Sequence, residues 1–198
     1  MKGLLIVGAG GHGRSVAEAV LAAGSYKVVG FVDDAASALQ HVWALPVFGA
    51  TADLTSYREY ADVAIVAMGN NRLREELHGR LTVAGFELAT VVHPKAVVSP
   101  RAVIGAGCAI MAGAIVGTEA QLGAGVIVNC GAVVDHDCRV DDFGHLGVNA
   151  AMSGGSVLGR GAWMQAGSVL GYGALVESGR VLGPGEVVNR TINSNGIQ

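Results

Sequence analysis

Between Val92 and Val188 every sixth residue is aliphatic or methionine. The series runs Val92, Val98, Ile104, Ile110, Val116, Leu122, Val128, Val134, Val140, Leu146, Met152, Leu158, Met164, Leu170, Val176, Leu182, Val188. With about half of a chain apolar, seventeen such positions in register arise by chance roughly once in 10⁵ sequences. Four residues after the aliphatic position the side chain is nearly always small, as in Ala96, Ala102, Cys108, Ala114, Ala120, Ala132, Cys138, Gly144, Ala150, Ser156, Ala162, Ser168 and Ala174, with Val126 larger. Glycine recurs directly after the large residue, as in Gly105, Gly117, Gly123, Gly147, Gly159, Gly171 and Gly183. A fixed hexapeptide period specifies a parallel β-helix. Each hexad is a short strand and a turn. The large side chain points into a narrow interior and stacks on its equivalents one coil away, about 4.8 Å along the axis. The small residue lets the chain bend at a corner, and glycine supplies turn dihedrals that other residues avoid. Three hexads close a triangular coil, so the stretch predicts between five and six coils.

The first ninety residues follow a different pattern. Leu4–Val7 is a short apolar strand running into Gly8-Ala9-Gly10-Gly11-His12-Gly13, and a helix is predicted over Arg14–Ala23, stopping at Gly24. Val28–Val32 is a second strand closed by Asp33-Asp34. Gly8, Gly10 and Gly13 fit the G-x-G-x-x-G spacing of a βαβ unit, with Asp33 near the place where an acid meets a ribose hydroxyl. Bare glycine amides at a helix N-terminus attract a phosphate. A purely structural turn is the alternative. A third strand over Asp62–Met68, a helix over Arg72–Ala84 with Leu73, Leu77 and Leu81 on one face, and a strand over Phe86–Val91 complete the unit. About four strands are enough for one nucleotide and short for two, which argues against a nicotinamide cofactor. The expected division is residues 1–90, a Rossmann-like α/β domain, and 91–198, the β-helix.

The net charge is −3, aromatic residues make up 5% of the chain, and basic residues do not cluster, which argues against nucleic acid. No apolar run reaches the eighteen residues of a membrane span, and the short N-terminal run reads as a buried strand, so the expected location is the cytoplasm. Cys108 and Cys138 fall in the small slot and read as packing residues.

Of six histidines, His41 and His78 read as surface residues, His93 as structural, and His12 lies within the glycine turn. His136 and His145 interrupt the repeat outside both the aliphatic and the small slot, so both should point outward, with Asp135, Asp137, Asp141 and Asp142 around them. An imidazole held by carboxylates can act as a general base near neutral pH. Nine residues apart is half a coil, so the two histidines should lie on different sides of one prism, and a site using both would form between subunits. A metal site is the rival explanation; the spacing matches no zinc pattern.

Several stretches together resemble one known family: Val7–Gly13, Phe31–Asp34, Ala67–Arg72, and Val128-Asn129 through Asp135-His136-Asp137-Cys138 to Phe143-Gly144-His145. The chain is similar to the hexapeptide-repeat sugar acyltransferases with an N-terminal nucleotide-sugar-binding domain. These include UDP-4-amino-sugar N-acetyltransferases and sialic acid O-acetyltransferases. The resemblance implies a left-handed β-helix assembled as a homotrimer, with acetyl-CoA as co-substrate along the outer wall and no metal. It implies His136 as general base flanked by Asp135 and Asp137. Asn129, Gly11, His12, Asp33 and Asp34 would contact the nucleotide-activated amino sugar, and His145 and the Gly154 amide would contact acetyl-CoA. It departs at Val188–Gln198, which lacks the family's Gly-x-Pro-Ala-type segment and basic tail. The reaction expected is direct N-acetylation of a UDP-linked 4-amino-4,6-dideoxy sugar. Sugar O-acetylation and a non-catalytic nucleotide-sugar scaffold are the alternatives.

Overall fold

The computed structural model describes residues 1–189. The altered tail therefore lies almost wholly outside the described residues.

The chain opens with a four-stranded, all-parallel sheet. Strands β1 (Gly3–Val7), β2 (Lys27–Val32), β5 (Val63–Val66) and β6 (Glu87–Leu88) lie in the order β2-β1-β5-β6. A small antiparallel pair, β3 (His41–Val42) and β4 (Leu45–Pro46), and a 3₁₀ segment (Thr51–Glu59) connect β2 to β5. Alternate residues of β1 go to opposite faces, as strand geometry requires. Leu4 and Ile6 pack with helix α1 (Gly11–Ala23), while Leu5 and Val7 pack with Leu77 and Leu81 of helix α2 (Asn71–Val83).

Helix α1 begins three residues earlier than the sequence suggests. Gly11, His12 and Gly13 form its first turn, and Arg14 N–H already donates to the Gly10 carbonyl. The other end is where it was expected, with Gly24 in the left-handed region at φ 62° and its N–H donating to Val20. In α2 the face also differs. Leu77 and Leu81 are buried, but Leu73 is exposed and Arg74 takes the third buried position. The strand expected over Phe86–Val91 is two separate pairs. β6 closes the sheet, and β7 (Val91–Val92) belongs to the coil stack.

From β7 to β23 (Val187–Val188) there are seventeen two-residue strands, and the second residue of each is the aliphatic residue of its hexad. Pairing is parallel with a constant offset of eighteen, as in Val92 with Ile110 and Ile110 with Val128. The strands form three sheets of six, six and five. The aliphatic and small positions together make one continuous core, which includes Cys108 and Cys138. Burial pushes the Cys108 thiol up to about 11, as befits a packing residue.

The glycines have two jobs. Those directly after the aliphatic residue have ordinary φ; a Cβ on Gly105 would come within 2.6 Å of the next coil's backbone, so they permit close stacking. The left-handed corner comes two residues later. Ten glycines fill it, from Gly107 to Gly185, and Glu119, Asp137, Phe143 and Asn149 are the residues with side chains that adopt it.

The first domain sits on one wall of the prism. Val16, Ala19 and Val20 of α1 share a core with the outward Val91, Ala109 and Ile127 of the first sheet. The second sheet, β8 (Val97–Val98), β11 (Ile115–Val116), β14 (Val133–Val134), β17 (Ala151–Met152), β20 (Val169–Leu170) and β23, contributes no outward residue to the core shared with that domain. Its outward residues are Val97, Ile115, Val133, Ala151, Val169 and Val187, all aliphatic and none of them fully buried.

Candidate active site

His136 stands at the corner between β14 and β15 (Arg139–Val140), with its side chain half exposed. Nδ1 lies 2.7 Å from Asp137 Oδ2, and the Asp135 carboxylate accepts from the His136 N–H at 2.8 Å. Asp135 Oδ2 is 3.8 Å from Nε2. The hydrogen bond to Asp137 is the main cause of a raised imidazole pKa, followed by the charge of Asp135. Asp137 as acceptor fixes the tautomer, with the proton on Nδ1 and the lone pair on Nε2. Asp137 occupies the left-handed corner at φ 57°. A side chain there costs backbone energy that glycine would avoid.

One coil on, Gly154 lies under the imidazole. A Cβ at this position would be 2.6 Å from His136 Nε2 and 3.2 Å from the exposed Tyr172 ring. Among the described residues the Gly154 N–H donates to no protein acceptor. A half-exposed basic nitrogen beside an unengaged main-chain donor is the pairing that acyl transfer needs: one removes a proton, the other meets an oxyanion. Asp141 and Asp142 do not join this group. They pair with Arg139 at 3.1 Å and Arg160 at 2.6 Å.

His145 lies elsewhere. It sits on β16 (His145–Leu146) of the first sheet, points out of the prism, and is then covered by the first domain, leaving 6% exposed. It stacks on Trp163 at 5.3 Å, and Nδ1 is 3.3 Å from the Gly69 carbonyl oxygen. Burial, with the Arg74 charge behind it, pushes its pKa down to about 3. His12, inside the first turn of α1, is pushed down to about 4 by burial and then by Arg74, and its Nε2 is buried without a partner. His78, expected at the surface, is on the same seam: half-buried, edge-on to Phe143 at 5.2 Å.

The glycine turn is built for close approach. Gly8 has φ 113°, and a Cβ on Gly13 would overlap the Gly8 carbonyl oxygen. Around Gly10 and Gly11, by contrast, a Cβ would meet nothing within 4 Å, so the α1 N-terminus faces open space. Asp33 Oδ2 accepts from Ala9 N–H at 2.7 Å and Oδ1 from Ala35 N–H at 2.9 Å, so this acid braces the turn. Asp34 accepts from the Thr51 N–H and hydroxyl, which hold its pKa down.

Residues 3–81 match the PglD N-terminal domain. PerB from Caulobacter crescentus, solved in complex with CoA and GDP-perosamine, superposes with a TM-score of 0.89 at 37% identity, over 95% of this chain and 89% of PerB. The chain belongs to the hexapeptide-repeat sugar acyltransferases with an N-terminal nucleotide-sugar-binding domain. The acetyltransferase domain of PglB from Neisseria gonorrhoeae FA1090, in complex with acetyl coenzyme A, gives a TM-score of 0.88 at 38% identity, over 95% of this chain and 93% of that one. The UDP-N-acetylbacillosamine N-acetyltransferase of Bacillus subtilis (strain 168) is 36% identical over 115 residues, 57% of this chain and about half, 52%, of that protein.

The residues expected to act on or bind the two substrates fall in four places. His136, Asp135, Asp137 and Gly154 form one corner. His12, Gly11, Asp33 and Asp34 surround the α1 N-terminus. Asn129 lies at the opposite corner of the second sheet, after β13 (Ile127–Val128), with its side chain accepting from Cys130 N–H. His145 lies beneath the first domain, so its outward position is corrected from exposed to covered. Arg74 and Tyr172 were missed from the sequence. No helix among the described residues is long and apolar enough to cross a membrane.

Proposed function

We propose that this acyltransferase N-acetylates a nucleotide-linked 4-amino-4,6-dideoxy sugar, with UDP as the carrier, using acetyl-CoA and His136 as general base. One observation carries the reading. His136 Nδ1 is anchored to Asp137 at 2.7 Å while Nε2 faces the Gly154 corner. The relatives support the substrate class. One is named for a UDP-amino sugar and another is crystallised with CoA and GDP-perosamine.

The glycine turn and the open space over Gly10 and Gly11 hold the pyrophosphate, with His12 beside it and Asp33 and Asp34, just after β2, toward the ribose side. The sugar amine reaches His136, which takes its proton as nitrogen attacks the thioester carbonyl. The C–N bond forms, the oxyanion meets the Gly154 N–H, and the C–S bond breaks. His136 returns the proton to the departing CoA sulfur, with no covalent enzyme intermediate. Cys138 is no rival nucleophile, being buried in the core.

Assembly is part of the proposal. Six aliphatic side chains on the second sheet face outward, with His136 at one edge and Asn129 at the other. Packing three prisms on these faces covers them and brings a neighbour's corner toward His136.

The test is thiol release from acetyl-CoA with UDP- and GDP-linked 4-amino sugars and with free sialic acid. Release with the UDP-linked amine, lowered about 10²–10⁴-fold by His136→Ala, is the expected result. Full activity in that variant removes His136 as the base. Release with the GDP-linked amine alone overturns the carrier. Release with sialic acid alone overturns N-acetylation.

A further inference from the structure

Arg74 is 1% exposed, yet among the described residues no carboxylate pairs with it. Its guanidinium is used on carbonyls from three segments. Nε donates to Gly125 at 2.8 Å, one terminal nitrogen to Phe143 at 2.7 Å, and the other to Met68 at 3.0 Å. Gly125 and Phe143 are equivalent corners of successive coils, both left-handed. Asn71 continues the ladder onto the third coil, donating to Gly161 at 2.8 Å. Met68 belongs to the loop after β5, whose next residue, Gly69, meets His145. The loop before α2, the start of α2 and the coil corners are thus joined through one buried side chain. A Cβ on Gly8, in the nucleotide turn, would touch Ala67 and Met68, so that turn rests directly on the pinned loop.

A buried cation without a counter-ion is costly, and a well-packed apolar residue would be no less stable at such a place. What the arginine adds is geometry, since a planar fork addresses three acceptors at once and a lysine ammonium does not. We infer that Arg74 is a positioning residue of the acetyl transfer: it pins the nucleotide-binding turn to the β-helix so that the bound sugar is presented to His136 at a fixed distance. This rests on the proposed N-acetyltransferase reading. Misplacing a bound substrate by an ångström costs turnover far more than binding. The same charge also lowers the pKa of His12 and His145, after burial, and keeps both imidazoles neutral where they line the seam.

The variants are Arg74→Met and Arg74→Lys in the full chain, read in two ways. Hydrogen exchange reports the seam. Both variants should speed exchange at residues 66–74 and 8–13 and leave the coils from 150 onward unchanged. Turnover reports the reaction. Both should lose roughly 10–100-fold in kcat with the nucleotide-linked amine, while KM for acetyl-CoA stays within about twofold. In Arg74→Lys, which retains the charge, the His12 ring resonances should remain untitrated above pH 5; in Arg74→Met they should titrate at higher pH. A seam that exchanges as in the parent overturns the inference whatever the turnover. A loosened seam with unchanged kcat overturns it too, and so does an equal rise in both KM values. A parent enzyme inactive with every nucleotide-linked amine overturns the proposed function instead, and in that case the exchange data alone decide whether Arg74 pins the seam.

Discussion

Gly154 lies so close beneath His136 that a methyl group on it would stand 2.6 Å from the imidazole Nε2. The atom in the way is the end of a side chain that can swing into solvent, so the fold has an easy escape and the chemistry has none. Gly154→Ala should therefore cost kcat about 10²–10³-fold while stability falls by no more than about 1 kcal/mol, because the atoms a Cβ meets belong to the half-exposed His136 and the exposed Tyr172. Steady-state turnover alongside thermal unfolding checks this. Unchanged turnover would show that the ring position in this structure is not the catalytic one.

The pH dependence follows from the same ring. If His136 acts as the proposed general base it must be neutral, so kcat/KM should rise with pH through its pKa, which the Asp137 hydrogen bond and then Asp135 place above its usual value. His12 and His145, at about 4 and about 3, are neutral throughout and do not contribute to this limb. Asp137→Asn should move the limb to lower pH and reduce its plateau roughly tenfold. The raised pKa also makes a stability contribution, present below the unfolded value and lost as pH rises through the folded one. A limb that stays in place in the variant would mean that another group controls it.

Much of this was legible in the sequence, and the gaps have physical causes. The period-six series gave all seventeen strands because burial in a narrow prism allows no exceptions. The sequence pattern starts helix α1 three residues late because glycine signals a loop, although these glycine amides form the first turn of the helix. The apolar pattern of α2 points to Leu73 and not to Arg74, whereas α2 packs this flank onto corner carbonyls that need donors. The left-handed corner held a readable signal. Ten corners have glycine there, and of the four exceptions Asp137 holds the His136 ring and Phe143 packs the seam. His145 could not be placed from the repeat, since outward from the prism and exposed to solvent differ only where another domain covers the wall.

The glycine turn supplies a paired test. A Cβ on Gly13 meets the Gly8 backbone, which cannot yield, so Gly13→Ala should destabilise the first domain by about 3 kcal/mol or more. Gly10 has open space around it, so Gly10→Ala should leave unfolding unchanged and obstruct only what binds there. Its effect should be a rise of roughly tenfold in KM for the nucleotide sugar, with acetyl-CoA unaffected. Chemical denaturation and two-substrate kinetics separate the variants. If Gly10→Ala were kinetically silent, the phosphate would bind elsewhere.

The second sheet decides whether one chain suffices. Ile115 points outward from the second coil of this sheet, in an all-aliphatic stripe with no charge to repel a copy of itself. A glutamate at that position remains hydrated on a lone prism but would be buried three times over in a three-fold assembly, at several kcal/mol per unpaired charge. Ile115→Glu should therefore sediment as a monomer, unfold as a single chain of native secondary structure, and lose most of its turnover. On the proposed assembly the loss arises although the substitution touches none of His136, Asp137 or Gly154, because there the corner opposite His136 comes from a neighbour. Activity that survives in a verified monomer would place the whole reaction on one chain, and Asn129, a full sheet-width from His136, would then have no part in it.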